Sequence, residues 1–218
     1  MRDKRANLED VVASVADGAS VALGGNTLHR APCAFVHELV RQQKRDLTVI
    51  KTAASYDVDL LAGSGVITRA EVAFVGFENV FGLAPRYRHA VETGALQLKE
   101  HACYSVISGL RAAAQGVPFM PIAGMFGSDV LAASDFRTIA DPYTGQTVVA
   151  VPALRPDVAV VHVQLADDEG NARILGTRFE DALIAQAARR VIVTAEQIVA
   201  GHDLAAQPFG QVHRQGSC

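Results

Sequence analysis

Hydrophobic and polar positions along this chain follow two periods that take turns for most of its length. "LEDVVASVADG" places Leu8, Val11, Val12 and Val15 on one helical stripe and closes at Gly18, a residue suited to stop a helix. "SVALGG" follows as a short apolar run and predicts a buried strand ending at Gly24 and Gly25. Pro32 suits the first turn of the next helical stripe (Phe35, Val36, Leu39, Val40), where its missing N–H has no partner to lose. Further strands are predicted at 47–51, 71–76, 96–100, 117–124, 147–154, 158–166 and 191–195. Helices are predicted around 84–93, 104–115 and 178–190, the last with arginines where its dipole favours them. The stretch 125–146, with its glycines, Pro142 and Tyr143, predicts irregular structure.

Strands alternating with helices predict βαβ units and hence an α/β fold: an open, mostly parallel sheet. Several strands are apolar at every position, which requires helices on both faces of that sheet. With no internal repeat, low-complexity segment or linker, residues 1–200 read as one domain. After "VIVTAEQIV" the strand period is lost, and 201–218 read as a divergent, polar, Gln-rich tail, poorly packed and consistent with truncation or a frameshift. A sheet left short at that edge is expected to self-associate.

Composition narrows the function classes. The 218 residues are half hydrophobic with a net charge of −3, which gives no reason to expect nucleic acid or a membrane as partner. "MRDKRANLED" is too polar for a secretory signal, and no apolar run reaches the roughly 18 residues of a membrane span. The widely spaced Cys33, Cys103 and Cys218 form no disulfide framework or CxxC pair, and a reduced, cytoplasmic chain is expected. Cys33 and Cys103 read as packing residues, and His162, inside an apolar strand, as a core histidine. None of the histidines has ligand spacing such as HxH or HExxH, so no metal is expected.

The candidate chemistry lies in "DGASVALGGNTLHRAP". Ligands of open α/β sheets bind beyond the carboxyl ends of strands, where Gly24 and Gly25 fall. Two glycines let a ligand approach bare amides that could stabilise an oxyanion or hold a phosphate. Asn26 adds a neutral donor, His29 a titratable ring and Arg30 a charge suited to carboxylate or phosphate. The plainer alternative is a tight turn with a solvated Arg30. "GGNTLHR" lacks the third glycine of GxGxxG and no GK[ST] follows, so neither a nicotinamide or flavin cofactor nor a P-loop is expected. Glu100 ends the strand "LQLKE", where sites form, although a surface or capping carboxylate would sit there too. Ser128 in "MFGSDV" offers a hydroxyl to a substrate or, equally, a helix N-cap.

Asp17, Gly18, Val21, Ala22, Leu23, Gly24, Gly25 and Pro32 resemble the signature of family I CoA-transferases, with Asn26 for the usual Phe and Arg30 for the usual Gly. That arginine, "FVGFENVFGLAPRYRHAVETGAL", "LRAAAQGVPFMPIAGMFGSD" and "PALRPDVAVVHVQLADDEGNA" are similar to the glutaconate CoA-transferase α-subunit branch and its steroid ring-opening relatives. The resemblance implies a CoA-transferase-like fold and CoA as substrate, moved between an acyl-CoA and a carboxylic acid. It places the nucleophilic glutamate on a β-type partner, so this chain alone should be inactive. Here it implies a substrate- and CoA-binding role for Gly24, Gly25, Asn26, His29, Arg30 and Ser128. The ring-opening hydrolase relatives offer an alternative activity, with Glu100 as the matching catalytic glutamate. Glu78 in "GFENV" is superficially similar to the β-type active-site sequence but sits in an α-type context. A non-enzymatic sugar-phosphate sensor on a related sheet is the third reading.

Overall fold

A computed structural model describes residues 3–206. Its strands are β1 (Ser20–Leu23), β2 (Leu47–Ala54), β3 (Ile67–Val75), β4 (Gln97–Glu100), β5 (Phe119–Ile122), β6 (Arg137–Ala140), β7 (Thr147–Pro152), β8 (Val158–Ala166), β9 (Ala172–Arg173) and β10 (Arg190–Ile198). The helices are α1 (Leu8–Ala13), α2 (Cys33–Arg41), α3 (Tyr56–Gly63), α4 (Glu78–Phe81), α5 (Pro85–Glu92), α6 (Cys103–Ala114), α7 (Asp129–Ala133), α8 (Asp181–Ala187) and α9 (Gly201–Ala206).

Six strands make the parallel main sheet in the order β10-β8-β1-β2-β3-β4, and β9 pairs antiparallel with the end of β8. Successive side chains of a strand point to opposite faces, so a central strand feeds two cores. In β1, Val21 and Leu23 join a core with Phe35, Leu39, Val58 and Leu61 from α2 and α3. Ala22 joins the opposite core with Val106 and Leu110 of α6 and Ile184 of α8. Helices thus cover both faces, as the apolar strands predicted, and each fully buried Leu or Phe contributes about 1.5–3 kcal/mol.

Several elements differ from the periodicity reading. The runs predicted at 117–124 and 147–154 form β5 and β7 of a separate antiparallel sheet, in the order β5-β7-β6. A tight turn over 141–146 forces β6 and β7 to be antiparallel, and Phe136, Ile122, Val149 and Val151 give this unit its own small core. The stretch expected to be irregular, 125–146, therefore contains α7 and β6. α3 escaped prediction because Asp57 and Asp59 point inward. Asp59 Oδ1 accepts the N–H groups of Arg86 (2.8 Å) and Tyr87 (3.0 Å), satisfying the first turn of α5. The helix expected over 178–190 closes at Ala187, and Arg190 begins β10 instead of capping it. Cys103 is exposed rather than packed. His162 is half-buried and pairs through Nδ1 with the Thr194 hydroxyl at 3.0 Å. Of the stretch expected to pack poorly, Gly201–Ala206 is helical and Leu204 is buried. The remainder, 207–218 with Cys218, lies outside the described residues.

Candidate functional site

The strand order places β1 between β2 and β8. From β1 the chain runs outward through β2, β3 and β4, and only later returns to β1's other side. This reversal opens a crevice at the carboxyl ends of β1 and β8, the usual ligand position in such sheets. The glycine loop lies at its lip.

Inside the loop, the backbone is consumed by its own fold. Gly24 N–H donates to Val160 O at 2.8 Å, and Gly25 N–H donates to Asp181 Oδ1 at 3.0 Å. Asn26 and His29 exchange both backbone hydrogen bonds, at 3.0 and 2.8 Å. A Cβ on Gly25 would lie 2.3 Å from His29 O, at a φ of +72°, and one on Gly24 would lie 2.5 Å from Asp181 Oδ1. These glycines are needed because backbone and carboxylate crowd in from within. The expectation of two bare amides turned outward, beside space for a ligand atom, is corrected accordingly.

Arg30 meets the same fate. Its φ of +55° explains why glycine suits this position, since a left-handed conformation is strained for other residues. The guanidinium turns inward and plugs the crevice. Nη2 bonds Asp181 Oδ2 at 2.6 Å and Thr177 O at 2.8 Å, while Nη1 bonds His162 O at 3.0 Å and Asp181 Oδ1 at 3.3 Å. Phe179 stacks 5.7 Å from the guanidinium carbon. Asp181 is 1 % exposed and Arg30 11 %, so the charge expected to greet a carboxylate or phosphate braces β1 against β8 and α8.

Beneath the loop lies a second buried pair. Lys51 Nζ donates to Asp57 Oδ2 at 2.5 Å and to Gly24 O at 3.0 Å. Asp57 Oδ1 accepts the amides of Ser55 (3.1 Å) and Val58 (3.0 Å). Burial, with the Asp57 charge behind it, pushes the Cys33 thiol upward, and burial likewise raises the Glu180 carboxyl, reinforced by Asp181. Asp181 also lines a groove of about 630 Å³ together with Val161, Val163, Arg178, Val193 and Leu204.

What the loop presents outward is different. His29 is exposed, 6.2 Å from the Phe179 ring, and Asn26 is half-exposed. Leu28, Phe81 and Leu83 are exposed on this loop and on the loop after β3. Thr27 joins the two loops, its hydroxyl donating to Glu78 Oε1. Glu100 is exposed at the end of the edge strand β4, three strands from β1, or about 14 Å at ordinary strand spacing. Its charge adds to burial in pushing the Tyr87 phenol up to about 12. Ser128 is exposed at the start of α7, its hydroxyl donating to Met125 O at 2.9 Å. Neither makes a hydrogen bond or ion pair to the glycine loop among the described residues. The structure therefore brings Gly24, Gly25, Asn26, His29 and Arg30 together and leaves Glu100 and Ser128 apart.

Sequence reasoning missed Thr27, Lys51, Asp57 and Asp181. Lys51 and Asp57 were legible only as charges within or beside an apolar run. Asp181 lies 151 residues from Arg30, and no local pattern could pair them. Among the described residues no group of three His, Cys, Asp or Glu is placed to hold a metal, and no helix is long and apolar enough to cross a membrane.

Residues 5–210 match the model of the coenzyme A transferase family. The chain is 36 % identical over 212 residues to the IpdA subunit of the cholesterol ring-cleaving hydrolase of Mycobacterium tuberculosis, covering 94 % of this chain and 72 % of that one. Glutaconate coenzyme A-transferase of Acidaminococcus fermentans superposes with a TM-score of 0.87 at 33 % identity, over 92 % of this chain and 69 % of that one. A point variant of the decarboxylase AibA/AibB superposes at 0.85 and 40 % identity, over 92 % and 77 %. The chain spans 47 % of an Archaeoglobus fulgidus protein to which it is 36 % identical. A family match over nearly its whole length, with relatives named as A subunits, places the chain plainly: it belongs to the coenzyme A transferase family and is of the A-subunit type.

Proposed function

We propose that this chain is the A half of a heteromeric CoA-transferase that moves CoA between an acyl-CoA and a carboxylic acid. In this reading a B-type subunit supplies the glutamate that attacks the thioester carbonyl. That attack breaks the C–S bond, leaves an acyl anhydride and CoA thiolate, and needs a dry, rigid site. One observation carries the proposal: the loop at the switch point is braced from within, by Arg30, Asp181 and Lys51, and presents only Asn26, Leu28 and His29 outward. Such a loop is a preformed wall of a pocket rather than a set of reacting groups. Asn26 and His29 are its substrate-facing side chains, Gly24, Gly25 and Arg30 hold it in shape, and Ser128 contributes from the small sheet.

The test is reconstitution. Purified chain is assayed with and without a B-type subunit against a panel of acyl-CoA donors and acids. Turnover that requires both chains is expected. Robust transfer by the chain alone would overturn the division of labour. The 36 % identity to a ring-cleaving hydrolase subunit favours one second reading, CoA-thioester hydrolysis with Glu100 as the catalytic carboxylate. Under it, water and not an acid consumes the substrate, and Glu100→Gln abolishes turnover. Nothing in the fold or the relatives favours the sugar-phosphate sensor.

A further inference from the structure

Thr27 is buried in a left-handed conformation, φ +44°, and each of its polar groups is tied. Its N–H donates to Ala53 O at 3.0 Å, and its carbonyl accepts the Ser55 hydroxyl at 2.6 Å. Those two bonds fasten it to the end of β2. The third, from its hydroxyl to Glu78, reaches the loop after β3. Glu78 is itself left-handed, φ +60°, in a loop closed by Phe77 N–H on Gly82 O (2.7 Å), Gly82 N–H on Glu78 O (3.1 Å) and a bridge between Gly76 and Leu83. Two strained, non-glycine residues thus meet through one side-chain hydrogen bond. Such strain costs about 1–3 kcal/mol per residue and persists only where the surroundings enforce it, most often at functional sites.

We infer that Glu78 is a positioning residue: acting through the Thr27 hydroxyl, it fixes the glycine-loop backbone that carries Asn26 and His29. The sequence context made Glu78 a poor nucleophile candidate, and the geometry gives it a different task. Its Oε1 is the acceptor that holds Thr27, while Oε2 has no hydrogen-bond partner among the described residues. Position matters steeply here, because a displacement of about 1 Å in a substrate-positioning element can lower turnover about 100-fold. A glutamine keeps an acceptor oxygen at the same reach, so the task requires the acceptor and not the charge.

The inference rests on the transferase reading for its kinetic arm, so the experiment has two arms. In the complex with a B-type subunit, Thr27→Val and Glu78→Ala are expected to lower kcat about 10- to 100-fold with KM within about threefold. The double variant should be no worse than either single one, while Thr27→Ser and Glu78→Gln should stay within about threefold of wild type. In the chain by itself, amide exchange over residues 24–30 should accelerate in Thr27→Val and Glu78→Ala and return toward normal in the two conservative variants. The second arm needs no turnover, so an inactive wild-type complex would sink the transferase reading alone. Loss in Glu78→Gln equal to that in Glu78→Ala, with a healthy Thr27→Val, would show that the carboxylate does chemistry itself and overturn the inference. Unchanged exchange in both disruptive variants would overturn it equally.

Discussion

Replacing Arg30 separates two roles that sequence alone assigns to it with equal ease. If the guanidinium met a substrate carboxylate or phosphate, Arg30→Ala would raise KM and leave the fold intact. The structure predicts the reverse. Truncation leaves Asp181, 1 % exposed, with the Gly25 amide as the sole hydrogen-bond donor left to it among the described residues. Stranding one partner of a buried ion pair typically costs about 3–5 kcal/mol. Against a total stability of about 5–15 kcal/mol this is a large fraction, and for a chain of this size it lowers Tm by about 6–20 °C.

Two companion variants make the reasoning refutable. Arg30→Gly strands Asp181 equally but relieves the left-handed backbone at φ +55°, so it should be about 1 kcal/mol less harmful than Arg30→Ala. Arg30→Met with Asp181→Asn removes both charges while an amide oxygen still serves the Gly25 N–H, and should recover most of the loss. Thermal and urea unfolding of the four proteins decide the matter. An Arg30→Ala chain within about 0.5 kcal/mol of wild type, or a double variant whose losses simply add, would show that the pair does not brace the crevice.

Other expectations follow from the same geometry. Gly25→Ala should destabilise the chain by more than about 1 kcal/mol, because its Cβ would fall 2.3 Å from His29 O at a φ of +72°, and urea unfolding would show it. The Tyr87 phenol, pushed up from 10.0 to about 12 mainly by burial, keeps its proton longer in the folded chain than in the unfolded one. The stability it contributes is therefore whole below pH 10 and is lost as pH climbs through about 12; Tm measured against pH should show that decline in wild type and a shallower one in Tyr87→Phe. A neutral thiol reagent followed by peptide mapping should label exposed Cys103 well before Cys33, whose thiol burial holds protonated.

The pattern of what could be read in advance has a physical cause. Apolar runs such as "LTVIK" and "VAVVHVQLA" revealed the parallel sheet because strands buried on both faces leave little else to choose. The signature around Gly24 and Gly25 located the site, since the end of β1 is also where the strand order reverses. It did not reveal which way the loop faces. A glycine pair tells that something approaches closely, and here the approaching groups are Asp181 and the His29 carbonyl, not a ligand. An arginine tells that an anion is near, and here the anion belongs to the chain itself, 151 residues on. Buried polar residues must be paired, so each inward Asp or Lys in this fold implies a partner that periodicity cannot name. α3 was missed for that reason, since Asp57 and Asp59 occupy positions an amphipathic pattern would give to apolar side chains. The features that sequence hid at this site are accordingly its long-range polar contacts: Arg30 to Asp181, Lys51 to Gly24 and Thr27 to Glu78. Each joins separate elements of the sheet at its carboxyl end, and together they turn three loose connections into one rigid wall.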